Sequence, residues 1–420
     1  MYIFTLKLKP KLQLSIVDYG CKWRNLENLM ATTNPTNAQQ ANKESNIVIK
    51  EVTSKCQLRK FVQFGIDLYK GNTCYCPPLF FDEINTFDPK KNPALEVCEH
   101  IIYMAYRNGE IVGRIVGIIN HRANEAWSVK KCRFGWFDFV DDYEVFKALL
   151  DAVAEWGRSK GMDELNGPVG FTDFDKEGLL IEGFDQNATF ANLYTHPYYI
   201  PHYERYGMLK EADWIELQIQ SPRKAPERVT RIAKLVSERF NLKVAKVKNT
   251  RELKKRFGYT YFDVFDEAYQ KLYNYQPMTD RQKRYYSDMF FPLLNFDFVT
   301  IVVNERDEIV AVGVGMPSIS AALRKCGGKL FPFGWYHLLK ALKAKKISDF
   351  ELLLIAVRPD YQDKGVNAMI VDEMTPYFAD YEIMRVETNS ILEDNRKSLA
   401  NFLMFDHIQH KRRRAFVKPL

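Results

Sequence analysis

The stretch Val357 to Met369, VRPDYQDKGVNAM, joins an apolar run, ELLLIAV (Glu351 to Val357), to an amphipathic segment, KGVNAMIVDEMTPYFAD. A helix that starts directly after a strand leaves several backbone N–H groups unpaired, and its dipole adds partial positive charge there. Such an end seats a phosphate when side chains stay clear. Gly365 removes a Cβ where an anion would approach. Pro359 ends the strand and spares a donor that the ladder could no longer use. A plain turn punctuated by one glycine is the competing reading. Three carboxylates nearby offer proton transfer: Glu351 on the apolar strand, Glu387 in MRVETN and Glu393 in LEDNRKSLANF. The commoner use of such acids is a solvated charge at a strand end, and Glu393 also suits a helix start.

The elements that must position these residues belong to a long chain. At 420 residues it exceeds what one compact core usually covers, so two domains or a duplicated one are expected. Apolar residues make up 46% and charged residues 27%, as in a folded soluble protein. The net charge of +7 suits anionic small molecules. The basic residues are dispersed rather than clustered, so no nucleic-acid partner is expected. Seven cysteines, an odd number, give no disulfide framework. Cys74 and Cys76 form a C-x-C with no second pair and no histidine at ligand spacing. Reduced thiols, no metal and a cytoplasmic location are therefore expected. No apolar run reaches membrane-spanning length. Residues 1–45 read as a disordered leader, or as an over-long start with Met30 as the true one.

The chain repeats itself. IIYMAYRNGEIVGRIVGIIN (from Ile101) and FVTIVVNERDEIVAVGVGMP (from Phe298) are both strand, polar turn and glycine-bearing strand. YERYGMLKEADWIELQI (from Tyr203) lies against FLMFDHIQHKRRRAFVK (from Phe402) at nearly the same offset. Chance likeness between strand-turn-strand pieces is the alternative to duplication. Each unit reads as strand, helices, hairpin, central strand, long amphipathic helix, strand, short helix and final strand. In the helix from Tyr143, the residues Val145, Phe146, Leu149, Leu150, Val153 and Trp156 form one apolar stripe, and Gly161 stops it. The expected organisation is a unit over 46–220, a connector helix over 221–240 and a unit over 241–420. The fold class is α/β, with a mixed sheet and helices on its faces.

At this point the sequence resembles the GNAT acyltransferase superfamily. V-x-P-x-Y-Q-x-K-G-V-x-A is similar to its motif A, Q/R-x-x-G-x-G/A, falling on Gln362, Gly365 and Asn367. Asn replaces the usual small residue at the last position. The resemblance covers 241–420 well and 46–220 more loosely. It implies two such units in tandem and transfer of an acyl group, commonly acetyl, from acyl-CoA to an amine. It implies that amides of Asp363, Lys364, Gly365, Val366, Asn367 and Ala368, with Gln362, hold the CoA pyrophosphate. It places Ile355, Ala356 and Val357 where the family's central strand splays and a backbone N–H polarises the thioester. Asn395 matches an asparagine that touches CoA, although helix capping accounts for it equally. Glu351 and Glu387 are the candidate bases. The family's tyrosine acid aligns with Phe402, which has no proton to give.

The first unit departs from this pattern. FDFVDDYEVFKALL has no glycine motif, and Asp141, Asp142 and Glu144 suit the helix dipole while repelling a phosphate. In N-myristoyltransferases and Fem-type aminoacyl transferases, which the resemblance brings in, one half carries the cofactor and both shape the acceptor cleft. By that analogy the first unit walls the site for a small-molecule or peptide amine. HPYYIPHYERY (from His196) is expected to fill a seam between the domains. FPFGWYHLLKALKAKK (from Phe331) pairs aromatics with a basic helix that covers the acceptor, touches an anionic surface or simply presents solvated lysines. HKRRRAFVK is read as a charged edge strand. A non-catalytic acyl-CoA sensor and a Fem-like aminoacyl transferase are the alternative functions.

Overall fold

The computed structural model describes residues 47–420; the expected leader at 1–45 lies outside the described residues. The strands are β1 (Ile47–Glu51), β2 (Cys98–Arg107), β3 (Glu110–Asn120), β4 (Lys131–Phe139), β5 (Glu164–Gly167), β6 (Leu179–Glu182), β7 (Leu209–Gln220), β8 (Lys243–Val244), β9 (Val299–Val303), β10 (Ile309–Pro317), β11 (Asp349–Val357), β12 (Arg385–Thr388), β13 (Ile391–Leu392) and β14 (His407–Pro419). They form one mixed sheet in the order β1-β2-β3-β4-β5-β14-β7-β12-β11-β10-β9-β8, with β6 against β14 and β13 against β7.

The two flanks repeat one plan. The hairpins β2–β3 and β9–β10 are the strand-turn-strand pieces repeated in the sequence. The parallel pairs β4–β5 and β11–β12 follow them, each spanned by a long helix, Tyr143–Ser159 or Asn367–Asp380. In the first of these helices Val145, Phe146, Leu149, Leu150 and Val153 are fully buried, as the apolar stripe requires. Each such side chain is worth about 1.5–3 kcal/mol to the fold. Tyr199 and Tyr203 of the aromatic cluster are also fully buried, packed with Phe139 and Phe146 inside the first half. They fill a core rather than a seam. The segment ELKKRFGYTYFDVFDEAYQKLY, read as one helical stretch, breaks at Gly258 (φ +60°) into the helices Thr250–Phe257 and Thr260–Tyr269.

The middle of the sheet corrects the edge-strand reading of HKRRRAFVK. β14 lies between β5 and β7, both from the first half, while β7 lies between β14 and β12, both from the second. Each half therefore gives its last strand to the other. Lys411 is 1% exposed and Arg413 is completely buried. Lys411 Nζ donates to Glu216 at 2.9 Å and also to Glu387, and Arg413 pairs with Glu216. Burial alone would raise the Glu216 carboxyl, but Arg413 and Lys411 hold it well below the carboxylate range. Cations paired at this depth stabilise only as a complete set, because removing one member strands the others. They lie in the interior of the sheet and do not defend an edge. Glu216, Glu387 and His410 also bring three potential ligand atoms within 4.8 Å, but Lys411 already holds both carboxylates.

Candidate functional site

The site begins where β11 loses a neighbour. β11 pairs with β12 only as far as Leu352 and Thr388. Asn389 N–H still reaches Leu352 O at 3.0 Å, and beyond it the strands part. On the other side, the register with β10 slips between Val314 and Gly315, which leaves Leu353 as the extra residue of a bulge. Arg358 N–H donates to Val310 O at 2.9 Å. By antiparallel alternation Ala356 then turns its backbone groups toward β10, while Ile355 and Val357 turn theirs into the open wedge. The wedge carbonyls are already occupied. Ile355 O accepts from the Tyr269 hydroxyl at 2.9 Å and Val357 O from the Gln362 amide at 3.0 Å. The N–H groups of Ile355 and Val357 remain the donors there. Ala356, 1% exposed, is part of the core.

The strand-to-helix junction follows. One 3-10 turn, Pro359–Tyr361, separates β11 from the loop, and the helix Asn367–Asp380 starts with no side-chain cap. Among the described residues, no acceptor takes the backbone N–H of Asp363, Lys364, Gly365, Val366 or Asn367. Asn367 Nδ2 donates to Asn401 at 3.0 Å, which leaves its buried Oδ1 without a partner. Asp363 pairs with Lys397 at 2.5 Å, and Lys364 lies 5.1 Å above the Phe240 ring. Gly365 has φ +80°, but an added Cβ would come within 3.0 Å of Ile232 and 3.3 Å of Val236 on the connector helix Glu227–Phe240. Its missing side chain thus also makes room for that helix. Ala368 packs on the core, and Asn395 caps its helix by accepting from Ser398 N–H at 3.1 Å.

A cavity of about 1120 Å³ runs from this junction across the sheet's centre into the first half. Gln362, Asp363, Gly365, Val366, Asn367 and Asn395 line one end. At the other end lies the loop TDFDKEG, Thr172 to Gly178, with Asp173, Asp175, Lys176 and Glu177 in the wall. The loop is braced across the seam: the Thr172 hydroxyl meets the Tyr286 hydroxyl at 2.9 Å, and Phe174 stacks on Tyr286 at 4.5 Å. Asp175 accepts from Thr172 N–H at 3.0 Å, and burial raises it to about 6. Burial, opposed by Arg133, raises Asp173 to about 7. Glu177 is raised as well, by burial and then by the charge of Asp173. Glu83, also in the wall, accepts from Trp136 Nε1 at 2.8 Å and is raised by burial. Asp138 is neutralised by Arg114 at 2.6 Å. Carboxyls whose pKa is raised toward 7 can pair with an ammonium and take its proton.

Comparison with known proteins agrees with this architecture. No protein-family model matches the chain. It is 28% identical over 355 residues to protein YghO of Escherichia coli K12, covering 83% of this chain and 89% of that protein. It is 24% identical over 360 residues to the bacterial ceramide synthase of Caulobacter vibrioides, covering 84% and 92%. Among solved structures, a tandem GNAT protein from the clavulanic acid biosynthesis pathway superposes with a TM-score of 0.52 at 10% identity, over 89% of this chain and 98% of that one. The fold is that of a tandem GNAT protein. A GCN5-related glucosamine N-acetyltransferase region of a fungal multi-domain β-N-acetylglucosaminidase gives a TM-score of 0.51 at 11% identity, over 91% of this chain and 39% of that one.

Within this tandem GNAT fold the residues singled out from sequence divide into two groups. Ile355, Val357, Gln362, Asp363, Gly365, Val366 and Asn367 meet Asn395 and Phe402 around the cavity, whereas Ala356, Lys364 and Ala368 do not line it. Glu351 and Glu387 do not reach it. Glu351 is 4% exposed, accepts from the Ser318 and Ser320 hydroxyls at 2.5 and 3.1 Å, and is raised by burial to about 7. Glu387 belongs to the Lys411 network, and Glu393 pairs with Arg412 at 2.6 Å. Asp173, Glu177 and Tyr269 escaped the sequence reading. TDFDKEG looks like a solvated turn, and only tertiary burial perturbs its acids. Tyr269 is one of many tyrosines until β11 is laid beside it.

Proposed function

We propose that the chain transfers a fatty acyl group from its CoA thioester to the primary amine of a long-chain amino alcohol. The observation that carries this reading is the single cavity joining the uncapped junction and the β11 wedge to the carboxylate loop of the other half. Its volume, about 1120 Å³, is above the usual range for drug-sized ligands, as two aliphatic chains require. The relative from C. vibrioides is named a ceramide synthase, and a ceramide is the amide of a fatty acid with a long-chain amino alcohol.

In this reaction the N–H groups from Asp363 to Asn367 hold the pyrophosphate. The N–H of Ile355 or Val357 donates to the thioester carbonyl oxygen as it gains charge; one such donor is worth about 10²–10³-fold in rate. Asp173, with Glu177, takes the proton from the acceptor ammonium. The amine nitrogen then bonds to the carbonyl carbon, and the resulting tetrahedral species collapses by breaking the C–S bond. The Tyr269 hydroxyl, which burial keeps protonated, gives its proton to the departing thiolate in place of the tyrosine absent at Phe402, and the second proton of the attacking nitrogen, released as the amide forms, restores that hydroxyl.

Thiol release from palmitoyl-CoA and acetyl-CoA, each with a long-chain amino alcohol and with a short amine, tests the proposal. Release that requires the long-chain pair is expected. Release confined to acetyl-CoA would overturn the substrate class, and binding of acyl-CoA without release from any pair would leave only a sensor. Tyr269→Phe should slow release by about 10²-fold while leaving acyl-CoA affinity unchanged.

A further inference from the structure

The segment over 318–348 contains seven basic residues and no acid, so it carries as much net charge as the whole chain, +7. Its centre is the loop after Gly328 and the helix Gly334–Leu342. Gly334 and Leu338 are buried, Gly334 against Lys329 and Cys326 and Leu338 in one cluster with Leu323, Leu330 and Met316. The outward side is aromatic: Phe331 and Phe333 are each 69% exposed, Tyr336 is 52% and Trp335 is 42%. Burying none of four neighbouring large aromatics is unusual for a surface that meets only water. Exposed lysines rim them, Lys329 on one side and Lys340, Lys343, Lys345 and Lys346 on the other. Of these, Lys346 pairs with Glu382 at 2.8 Å.

Aromatic side chains that sit at headgroup depth within a ring of lysines are the composition of an interfacial anchor. We infer that this face docks on an anionic phospholipid bilayer, with Phe331, Phe333 and Trp335 entering the interface and the lysines meeting lipid phosphates. The location has a purpose. The apolar cluster beneath the helix includes Ile319, Leu323 and Leu353, which also line the cavity. The Pro78–Leu79 wall of the cavity is tied to the same loop, since Phe80 N–H donates to Gly328 O at 3.0 Å. The docked face therefore sits over the apolar side of the cavity, where a lipid substrate would pass between bilayer and site. Among the described residues no helix is long and apolar enough to cross a membrane, so attachment is at the surface.

The test is sedimentation of the full chain with vesicles of phosphatidylglycerol and phosphatidylethanolamine, against vesicles of phosphatidylcholine, without CoA or amine. This readout stands whether or not the transfer reaction does. Binding to the anionic vesicles alone, weakened by salt, is expected. Phe331→Ser with Phe333→Ser should abolish it, and Lys343→Glu with Lys345→Glu should weaken it by about fivefold per lysine. Thermal unfolding and thiol release from detergent-dispersed substrate should stay as in the parent chain. Absence of binding, equal binding to neutral vesicles, or variants that bind normally would each overturn the inference. So would a change of oligomeric state in these variants, which would assign the face to a second copy of the chain.

Discussion

The same strand-to-helix junction occurs twice in this molecule, and the two copies have opposite fates. In the first half Asp142 caps its own helix, accepting from the N–H of Glu144 at 2.8 Å and of Val145 at 3.3 Å, and it also pairs with Arg107 at 2.7 Å. That helix end is satisfied from within. In the second half no side chain caps the helix, and the five successive N–H groups from Asp363 to Asn367 have no acceptor among the described residues. Fold alone thus confers no anion site; what matters is which backbone donors the protein declines to use. The half that closed its junction contributes instead the acids of the Thr172–Gly178 loop to the cavity wall, and under the proposed function cofactor and acceptor are held by different copies of one plan.

The sharpest way to break that division is Asp173→Asn. It should lower turnover by about 10²–10⁴-fold with acyl-CoA affinity unchanged, measured by thiol release and by titration calorimetry. In the parent chain the rate should climb as pH rises through about 7, where Asp173 loses its proton, and the variant should lose that step. Stability moves the other way. A carboxyl raised from 3.8 contributes most to the fold when protonated, and that contribution is lost as pH rises toward about 7. Asp173→Asn should therefore resist denaturant better than the parent at alkaline pH. A parent-like rate would reduce the first half to a wall.

Lys411→Met attacks the join between the halves. It leaves Glu216 and Glu387 without their shared cation and should cost about 3–5 kcal/mol in urea unfolding. A smaller loss would mean that the strand exchange is held by backbone pairing alone. The mildest pair bears on the junctions themselves. Asn367→Asp keeps the shape but places a carboxylate at the open helix start, and should raise the Kd for CoA by about tenfold, or 1.4 kcal/mol. Asp142→Ala should cost about 0.5–2 kcal/mol in stability and create no CoA site in the first half.

Much of the plan was legible in the sequence because it is written locally. The hairpins, the apolar stripe of the Tyr143 helix and the uncapped junction each depend on residues a few positions apart. What was not legible depends on distant partners. Lys411 and Arg413 look like edge charges until Glu216 is placed beside them, and no local pattern announces that partner. That Gly365 also makes room for the connector helix shows only once that helix is packed on it. Glu351, on the right strand, faces two serine hydroxyls instead of the cleft. The acids at 173 and 177 are perturbed only once the fold partly buries them in the cavity wall.

The exchange of last strands also sets an order of assembly. β14 is translated after both neighbours it must lie between, so during synthesis the two flanks exist with an open slot at their shared centre. Until that slot is filled, the unpaired edges of β5 and β7 are available to any other strand, including that of a second nascent copy. Because β14 alone among the described strands hydrogen-bonds to both β5 and β7, those two strands acquire their fixed spacing only once it occupies the slot.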